Sequence, residues 1–176
     1  NITTGTLSTA RGGTGTSNGY GPGSVVQMQV GITNSSSFST TTLVYSATPI
    51  TVTITPKFSN SILYVTANVA LKVNSTVGAG AGIQIRRDGV ADTSLTGSSS
   101  SGSVTNTQAL CYIGYSTAGT TDFYDKVVTT STYTANNTSA TTFTVYVGLV
   151  GTTGTIYVGS PANWGRSEIT VFEIAQ

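Results

Sequence analysis

Apolar and polar side chains alternate along most of the chain after residue 24. The clearest stretches have an apolar residue at every second position, and they cover 26–30, 50–54 and 63–73. A period of two residues is typical of a β-strand that buries one face. We therefore expect Val26, Met28 and Val30 to face a core. The same pattern, less regular, predicts strands at 42–47, 82–87, 108–115, 123–130, 143–148, 155–159 and 168–174.

Residue types agree with this pattern. Thr, Val, Ile and Tyr suit a pleated, half-buried surface, whereas the better helix formers Leu, Glu, Lys and Met are scarce. Asp88-Gly89 and clusters of Ser, Gly and Asn separate the strands and are typical of hairpins and loops. About ten strands in one domain protect their edges best as two packed sheets. We expect an all-β, antiparallel, jelly-roll-type β-sandwich, although another Greek-key strand order fits the same pattern.

The first 24 residues are different because they are rich in Gly and Thr and have few side chains that could form a core. This composition predicts a linker or an extended N-terminal arm. We therefore divide the chain into a neck, residues 1–24, and a β-sandwich head, residues 25–176.

Charge and residue counts narrow the function classes. Only 7% of residues are charged and the net charge is +1, whereas globular domains carry about 25% charged residues. Seven scattered Lys and Arg argue against nucleic-acid binding.

The chain has no His, which excludes His-dependent catalysis, and its lone Cys111 has no partner for an internal disulfide. No apolar run approaches the roughly 18 residues of a membrane span. We expect no enzyme activity, no cofactor, no metal ion and no membrane insertion.

Two sets of motifs resemble a known family. The stretch from Leu7 to Thr16, LSTARGGTGT, looks like a Gly/Thr motif of bacteriophage tail-fibre chains, where it often precedes a C-terminal receptor-binding domain. The head resembles C-terminal domains of fibre proteins from phages of marine and freshwater bacteria, cyanophages among them. The residues that carry this second resemblance are Val25-Val26-Gln27, Ile54-Thr55-Pro56, Ser61-Ile62-Leu63, Arg87-Asp88-Gly89 and Ser167 to Gln176.

The resemblance implies a non-enzymatic, homotrimeric fibre tip that follows an upstream fibre shaft. Such a head recognises a receptor on the host cell surface during adsorption, either a glycan such as lipopolysaccharide or an outer-membrane receptor. It implies a virion protein that is made in the bacterial cytoplasm and becomes extracellular after release. A chain without disulfides or a visible signal peptide is compatible with that history.

Glycans are held by aromatic ring faces and by planar amide hydrogen bonds, so loop-borne aromatic and polar side chains are the candidate receptor site. Tyr64, Tyr146 and Tyr157 lie inside predicted strands, and we expect them to be structural. The candidate receptor-binding residues are Tyr115, Asp122, Tyr124, Tyr133, Asn136, Asn137, Trp164 and Arg166.

The glycine run at 78–82 lacks side chains that fill space. A loosely ordered loop is one interpretation. The other places Gly78, Gly80 and Gly82 where another backbone approaches closely, at a trimer contact or a corner between sheets.

Two other functions fit the same sequence. One is a structural virion protein, a head fibre or capsid decoration, without specific host recognition. The other is a hydrolase of surface polysaccharide, which would need Asp122 and Asp125 to face one cleft. The same two carboxylates could instead hold a calcium ion.

Overall fold

The computed structural model describes residues 19–33, 38–77, 79–90, 111–114, 118–150, 153–159 and 165–176. Within these ranges the chain forms ten strands, and none of the described residues is helical. It follows that no described helix is long and apolar enough to cross a membrane. The strands are β1 (Val25–Thr33), β2 (Phe38–Thr40), β3 (Ser46–Ile54), β4 (Ile62–Val77), β5 (Gly80–Arg87), β6 (Cys111–Gly114), β7 (Ala118–Thr134), β8 (Thr141–Val150), β9 (Thr155–Val158) and β10 (Ser167–Ile174).

Four antiparallel pairs nest inside one another along the chain. Strand β1 pairs with β10, β3 with β8, β4 with β7, and β5 with β6. This nesting gives a front sheet ordered β1-β10-β4-β7 and a back sheet ordered β3-β8-β5-β6. Such a doubly folded ribbon is a jelly roll, so the predicted fold class is confirmed. Strands β9 and β2 extend the front sheet beside the second half of β4.

Alternating side chains of both sheets fill one core. Odd-numbered residues of β4 and β10, such as Val65 and Ile169, point inward and meet Ile83 and Phe143 of the back sheet, all fully buried. Even-numbered residues of β4 and β10 therefore lie on the outer face of the front sheet.

The two ends of the sandwich are distinct. The chain enters β1 at what we call the near end, where the Gly23 amide donates a 2.8 Å hydrogen bond to the Ala175 carbonyl. The Tyr20 ring already contacts the Phe58 ring there, with centroids 5.9 Å apart. Strand β4 runs away from this end to Val77. The end of β4, the start of β5, the end of β6, the start of β7 and the end of β8 lie at the opposite end, which we call the far end.

The predicted strand at 26–30 is present, but the face that it buries differs from the prediction. A β-bulge separates Val25 from Gln27 in the register with β10. Because a bulge adds one residue, the residues that follow it change faces. Val26 is buried, whereas Met28 and Val30 lie exposed on the outer face of the front sheet, so their predicted core position is wrong.

The strand predicted at 42–47 is largely a loop, since β3 begins only at Ser46. The Thr42 hydroxyl donates to the Val44 carbonyl at 2.9 Å, and such local bonds compete with strand pairing. Strand β2 was not predicted because three residues are too few to show a period. The other predicted strands match described ones, although residues 108–110 and 115 of the sixth lie outside the described residues.

Candidate functional site

Five polar and aromatic side chains gather near the far end on the outer face of the front sheet. Lys72 stands directly opposite Tyr124 of β7 on one side and Tyr157 of β9 on the other, and Asn74 stands opposite Asp122. Residues directly opposite in an antiparallel pair share one face of the sheet. We call these five residues the far-end cluster.

The Asp122 carboxylate is the centre of this cluster. It accepts hydrogen bonds from the Asn74 Nδ2 at 2.6 Å and from the Tyr124 hydroxyl at 3.0 Å. The Lys72 ammonium forms an ion pair with it at 2.6 Å. Three donors from two strands therefore hold one exposed carboxylate in a fixed orientation.

Lys72 lies between two aromatic rings. Its Nζ is 5.6 Å from the ring centroid of Tyr124 and 5.1 Å from that of Tyr157. A cation within about 6 Å of a tyrosine ring is attracted by the negative face of the ring. Both rings and the ammonium thus position one another.

These contacts set the charge of the cluster at neutral pH. The hydrogen bond from Asn74, followed by that from Lys72, lowers the pKa of Asp122. The bond to Asp122 raises the pKa of Lys72. Partial desolvation and the hydrogen bond donated to Asp122 raise the pKa of Tyr124. Asp122 is therefore ionised, Lys72 is protonated and Tyr124 keeps its hydroxyl proton.

This arrangement is suited to binding hydroxyl-rich ligands. An ionised carboxylate offers about four acceptor positions, so three protein donors leave Asp122 able to accept from a ligand hydroxyl. The neighbouring tyrosine rings provide apolar surface of the kind on which sugar rings pack. The cluster contains an acceptor, donors and ring surfaces within one small area of the sheet.

Sequence reasoning found part of this cluster. Asp122 and Tyr124 were predicted and lie together. Lys72 and Asn74 were missed, and Tyr157 was expected to be structural although its side chain is half-buried on the outer face. The alternation along β4 could have identified Lys72 and Asn74. Odd-numbered residues of β4 form the core, so even-numbered ones must point outward.

Among the other predicted residues, Arg166 does not join the far-end cluster. Arg166 lies just before β10 and its Nη2 donates to Glu168 Oε2 at 2.8 Å. Tyr115 and Trp164 lie outside the described residues.

Tyr133, Asn136 and Asn137 lie at the near end of the sandwich, far along β7 from Asp122. The Tyr133 hydroxyl donates to the Ile85 carbonyl at 3.0 Å, and its ring packs 5.0 Å from that of Phe143. Asn136 adopts a positive φ of 65°. The Asn137 side chain accepts from the Ser139 amide at 2.9 Å. Tyr133 and Asn137 therefore have structural contacts, and Asn136 has the backbone conformation of a turn residue.

The glycines predicted at a trimer contact are buried within the single chain where the structure describes them. A Cβ at Gly82 would overlap the hydroxyl of Tyr45, so close packing of this tyrosine on the back sheet accounts for Gly82. Burial of that tyrosine raises its pKa to about 12. Gly80 is also buried, and Gly78 lies outside the described residues. Their contact with another copy stays a prediction.

Asp122 and Asp125 do not form one site. Asp122 stands opposite Asn74, whereas Asp125 stands opposite Leu71, whose side chain belongs to the core. The two carboxylates therefore start from opposite faces of β7. In the described part of the chain, no three His, Cys, Asp or Glu side chains form a group that could hold a metal ion. This placement argues against a shared cleft or a shared cation at this pair.

Comparison with known proteins finds structural similarity without a matching family. No family model matches the chain, and no curated protein matches it. The chain is similar to the solved structure of the D431N mutant VP2 protein of infectious bursal disease virus in derived T=1 particles, with 13% sequence identity and a TM-score of 0.37. The match covers 86% of this chain and spans 37% of the length of that protein.

Proposed function

We propose that this chain is the head of a homotrimeric phage tail fibre, and that it binds a saccharide of the host cell surface through the far-end cluster. The single observation that supports the proposal most is the position of that cluster. It lies near the end of the sandwich opposite the end at which the chain enters β1. In a fibre whose shaft precedes the head, the far end points away from the virion and towards the host.

The chemistry of the cluster favours a saccharide over a charged polymer. Asp122 is matched by Lys72, so the site offers little net charge with which to attract nucleic acid or a strongly acidic chain. The fixed carboxylate and the rings of Tyr124 and Tyr157 suit hydroxyl groups and the apolar faces of sugars. The head acts by binding alone, without catalysis or a cofactor.

Weak binding at each site is sufficient for such a protein. Three heads on one trimer, repeated over several fibres, convert modest affinity into high avidity. A shallow cluster on the face of a sheet is compatible with that requirement. The remaining features of the proposal follow from the resemblance: an upstream shaft, synthesis in the bacterial cytoplasm, and a place in the virion until release.

Binding of the fluorescently labelled full chain to candidate bacterial cells, cyanobacteria first, tests the proposal. We expect labelling that purified surface lipopolysaccharide competes away. Asp122→Ala and Tyr124→Ala should each weaken labelling at least about tenfold, because each removes a group that contacts the ligand. Asn137→Ala at the near end is the matched control and should label cells as the unaltered chain does.

A different outcome is labelling that persists in the presence of every surface saccharide and disappears after protease treatment of the cells. That outcome would identify an outer-membrane protein, and not a saccharide, as the receptor. Equal loss of labelling in Asn137→Ala and in the two cluster variants would overturn the role of the far-end cluster.

A structural virion protein, a head fibre or a capsid decoration, is the second candidate. The exposed apolar side chains on β1 favour it, since they offer a surface for attachment to other subunits. A labelled chain that neither stains host cells nor competes with phage adsorption would support this function and contradict the first.

A further inference from the structure

Strand β1 carries a row of exposed apolar side chains next to the point where the chain enters the sandwich. Val25 is 57% exposed, Met28 53%, Val30 43% and Ile32 49%. All four stand directly opposite β10 residues, which are Ile174, Phe172, Thr170 and Glu168 in that order. We call Val25, Met28, Val30, Ile32, Phe172 and Ile174 the β1 apolar face.

This face is unusual for a chain so rich in Ser and Thr. The bulge between Val25 and Gln27 turns Met28, Val30 and Ile32 outward, whereas Val26, which lies in the bulge, is buried. Single exposed apolar residues need no explanation, but a contiguous row on one sheet face is typical of an interaction surface. Strand β1 is also an edge of the front sheet among the described strands, and edges are normally protected by charge.

We propose that the β1 apolar face is the surface through which copies of this chain contact one another. This inference rests on the trimer of the proposed function and adds the surface that forms it. The face carries no charged side chain, so identical faces can approach without like-charge repulsion. The nearest charge is Glu168, opposite Ile32, and it is paired with Arg166.

The position of the face also favours a second copy over an unrelated partner. The hydrogen bond from Gly23 to Ala175 fixes the chain beside the start of β1, and the 18 residues before Gly19 lead into the sandwich at this point. If the necks of three copies lie side by side, their β1 strands are the first parts of the heads to meet.

The proposed contact leaves the far-end cluster accessible. Strands β10 and β4 separate β1 from β7, which places Asp122 and Tyr124 about 14 Å from β1 across the sheet, at roughly 4.8 Å per strand. The apolar face begins at the near end and the cluster lies near the far end. Copies can therefore pack through β1 while each presents Asp122 and Tyr124 to a ligand.

Solution mass and methionine oxidation of the full chain test the contact. Met28 is the only methionine, so peroxide oxidation reports burial at one position of the face. We expect light scattering to give three times the chain mass of 17.9 kDa. Oxidation of Met28 should be several-fold slower at concentrations where the trimer forms than on dilution to the monomer.

Val30→Asp places an unpaired charge in the contact and should weaken association at least about tenfold. The charge projects from an exposed position in the single chain, so the monomer should keep its far-ultraviolet circular dichroism. Val44→Asp is the matched control. Val44 is 75% exposed but lies on the loop that leads into the back sheet, and its substitution should leave the mass unchanged.

The outcomes separate this inference from the proposed function. A trimer that survives Val30→Asp with rapid Met28 oxidation overturns the contact surface and leaves the fibre head intact. A chain that is monomeric at all concentrations overturns both the surface and the trimer, whereas cell labelling tests receptor binding independently. A dimer with protected Met28 supports the surface and contradicts the threefold assembly.

Discussion

The carboxylate of Glu173 accepts a 2.8 Å hydrogen bond from the hydroxyl of Ser61, and both side chains are fully buried. The backbone amides of Lys57 and Phe58 donate to the same carboxylate at 2.9 and 3.0 Å, and Gln27 Nε2 donates at 2.6 Å. A buried charge is tolerated when its hydrogen-bonding positions are satisfied. Glu173 therefore ties the loop between β3 and β4 to β10 and β1.

Glu173→Gln should destabilise the fold by about 2 to 4 kcal/mol, because the neutral amide loses charge-assisted bonds and turns an NH2 group towards amide donors. Chemical denaturation of the full chain measures this change. Glu168→Gln is the control, since its exposed ion pair with Arg166 should contribute less than about 1 kcal/mol. Equal effects of the two substitutions would contradict the role of Glu173.

The stability of the fold should fall in acid because of the same residue. Burial alone would raise the pKa of Glu173, but the hydrogen bonds from Lys57, Gln27, Phe58 and Ser61 outweigh it, and the pKa lies below its usual 4.5. A lowered pKa in the folded state means that the contribution is complete above about pH 4.5 and is lost as the pH falls through the folded-state pKa.

Denaturation at several pH values between 6 and about 3 checks this prediction. The difference in stability between the unaltered chain and Glu173→Gln should shrink as the pH falls. A difference that stays constant over this range would show that Glu173 does not titrate with folding.

Periodicity predicted the strands well because each buried face repeats every second residue, as at Leu63, Val65 and Ala67 of β4. It assigned the wrong face to Met28 and Val30 because the bulge after Val25 depends on pairing with β10, and no residue type at this point indicates a bulge. The register that produces it is a long-range property of the sheet.

The candidate site was predicted in part for a similar reason. Asp122 and Tyr124 are neighbours in sequence and were found by residue type. Lys72 and Tyr157 come from other strands and reach Asp122 or its neighbours only through the register of β4 with β7 and β9. Loop-based reasoning also grouped Tyr133 with Tyr124, although the length of β7 places them at opposite ends of the sandwich.

Gly31 of β1 lies close to the backbone of β3 at Thr51. A Cβ at this position would overlap the backbone carbonyl of Thr51 and lie 3.2 Å from the Ile169 side chain. Backbone atoms cannot rotate away, so Gly31→Ala should destabilise the fold by about 1 to 3 kcal/mol. In Gly148→Ala the new Cβ would lie 3.4 Å from Tyr45 atoms, an ordinary contact, and thermal unfolding should change much less. A Gly31→Ala variant as stable as the unaltered chain would show that β1 and β3 lie further apart at this position than in the structure.

The titration of Asp122 should depend on Asn74. The hydrogen bond from Asn74 is the largest cause of the lowered pKa of Asp122, whose usual value is 3.8. Asn74→Ala should therefore raise the pKa of Asp122 towards 3.8, and carboxyl-carbon NMR during an acid titration measures it. Saccharide binding that needs the ionised carboxylate should persist in the unaltered chain to a lower pH than in the variant. An unchanged pKa would mean that Asn74 does not hold the carboxylate in solution.

Two tyrosines on the same strand should respond oppositely to loss of the hydroxyl. Tyr133→Phe removes the bond to the Ile85 carbonyl at the near end and should cost about 1 kcal/mol of stability, without weakening cell labelling. Tyr124→Phe removes the bond to Asp122 from an exposed residue. Its stability should change by less than about 0.5 kcal/mol, whereas labelling of host cells should fall because the carboxylate loses one of its three supports. Denaturation and cell binding are measured on both variants. If receptor binding occurs near the far end, Tyr133→Phe should lose more stability and Tyr124→Phe should lose more cell labelling. If Tyr133→Phe weakens labelling and Tyr124→Phe does not, the receptor contacts the near end instead.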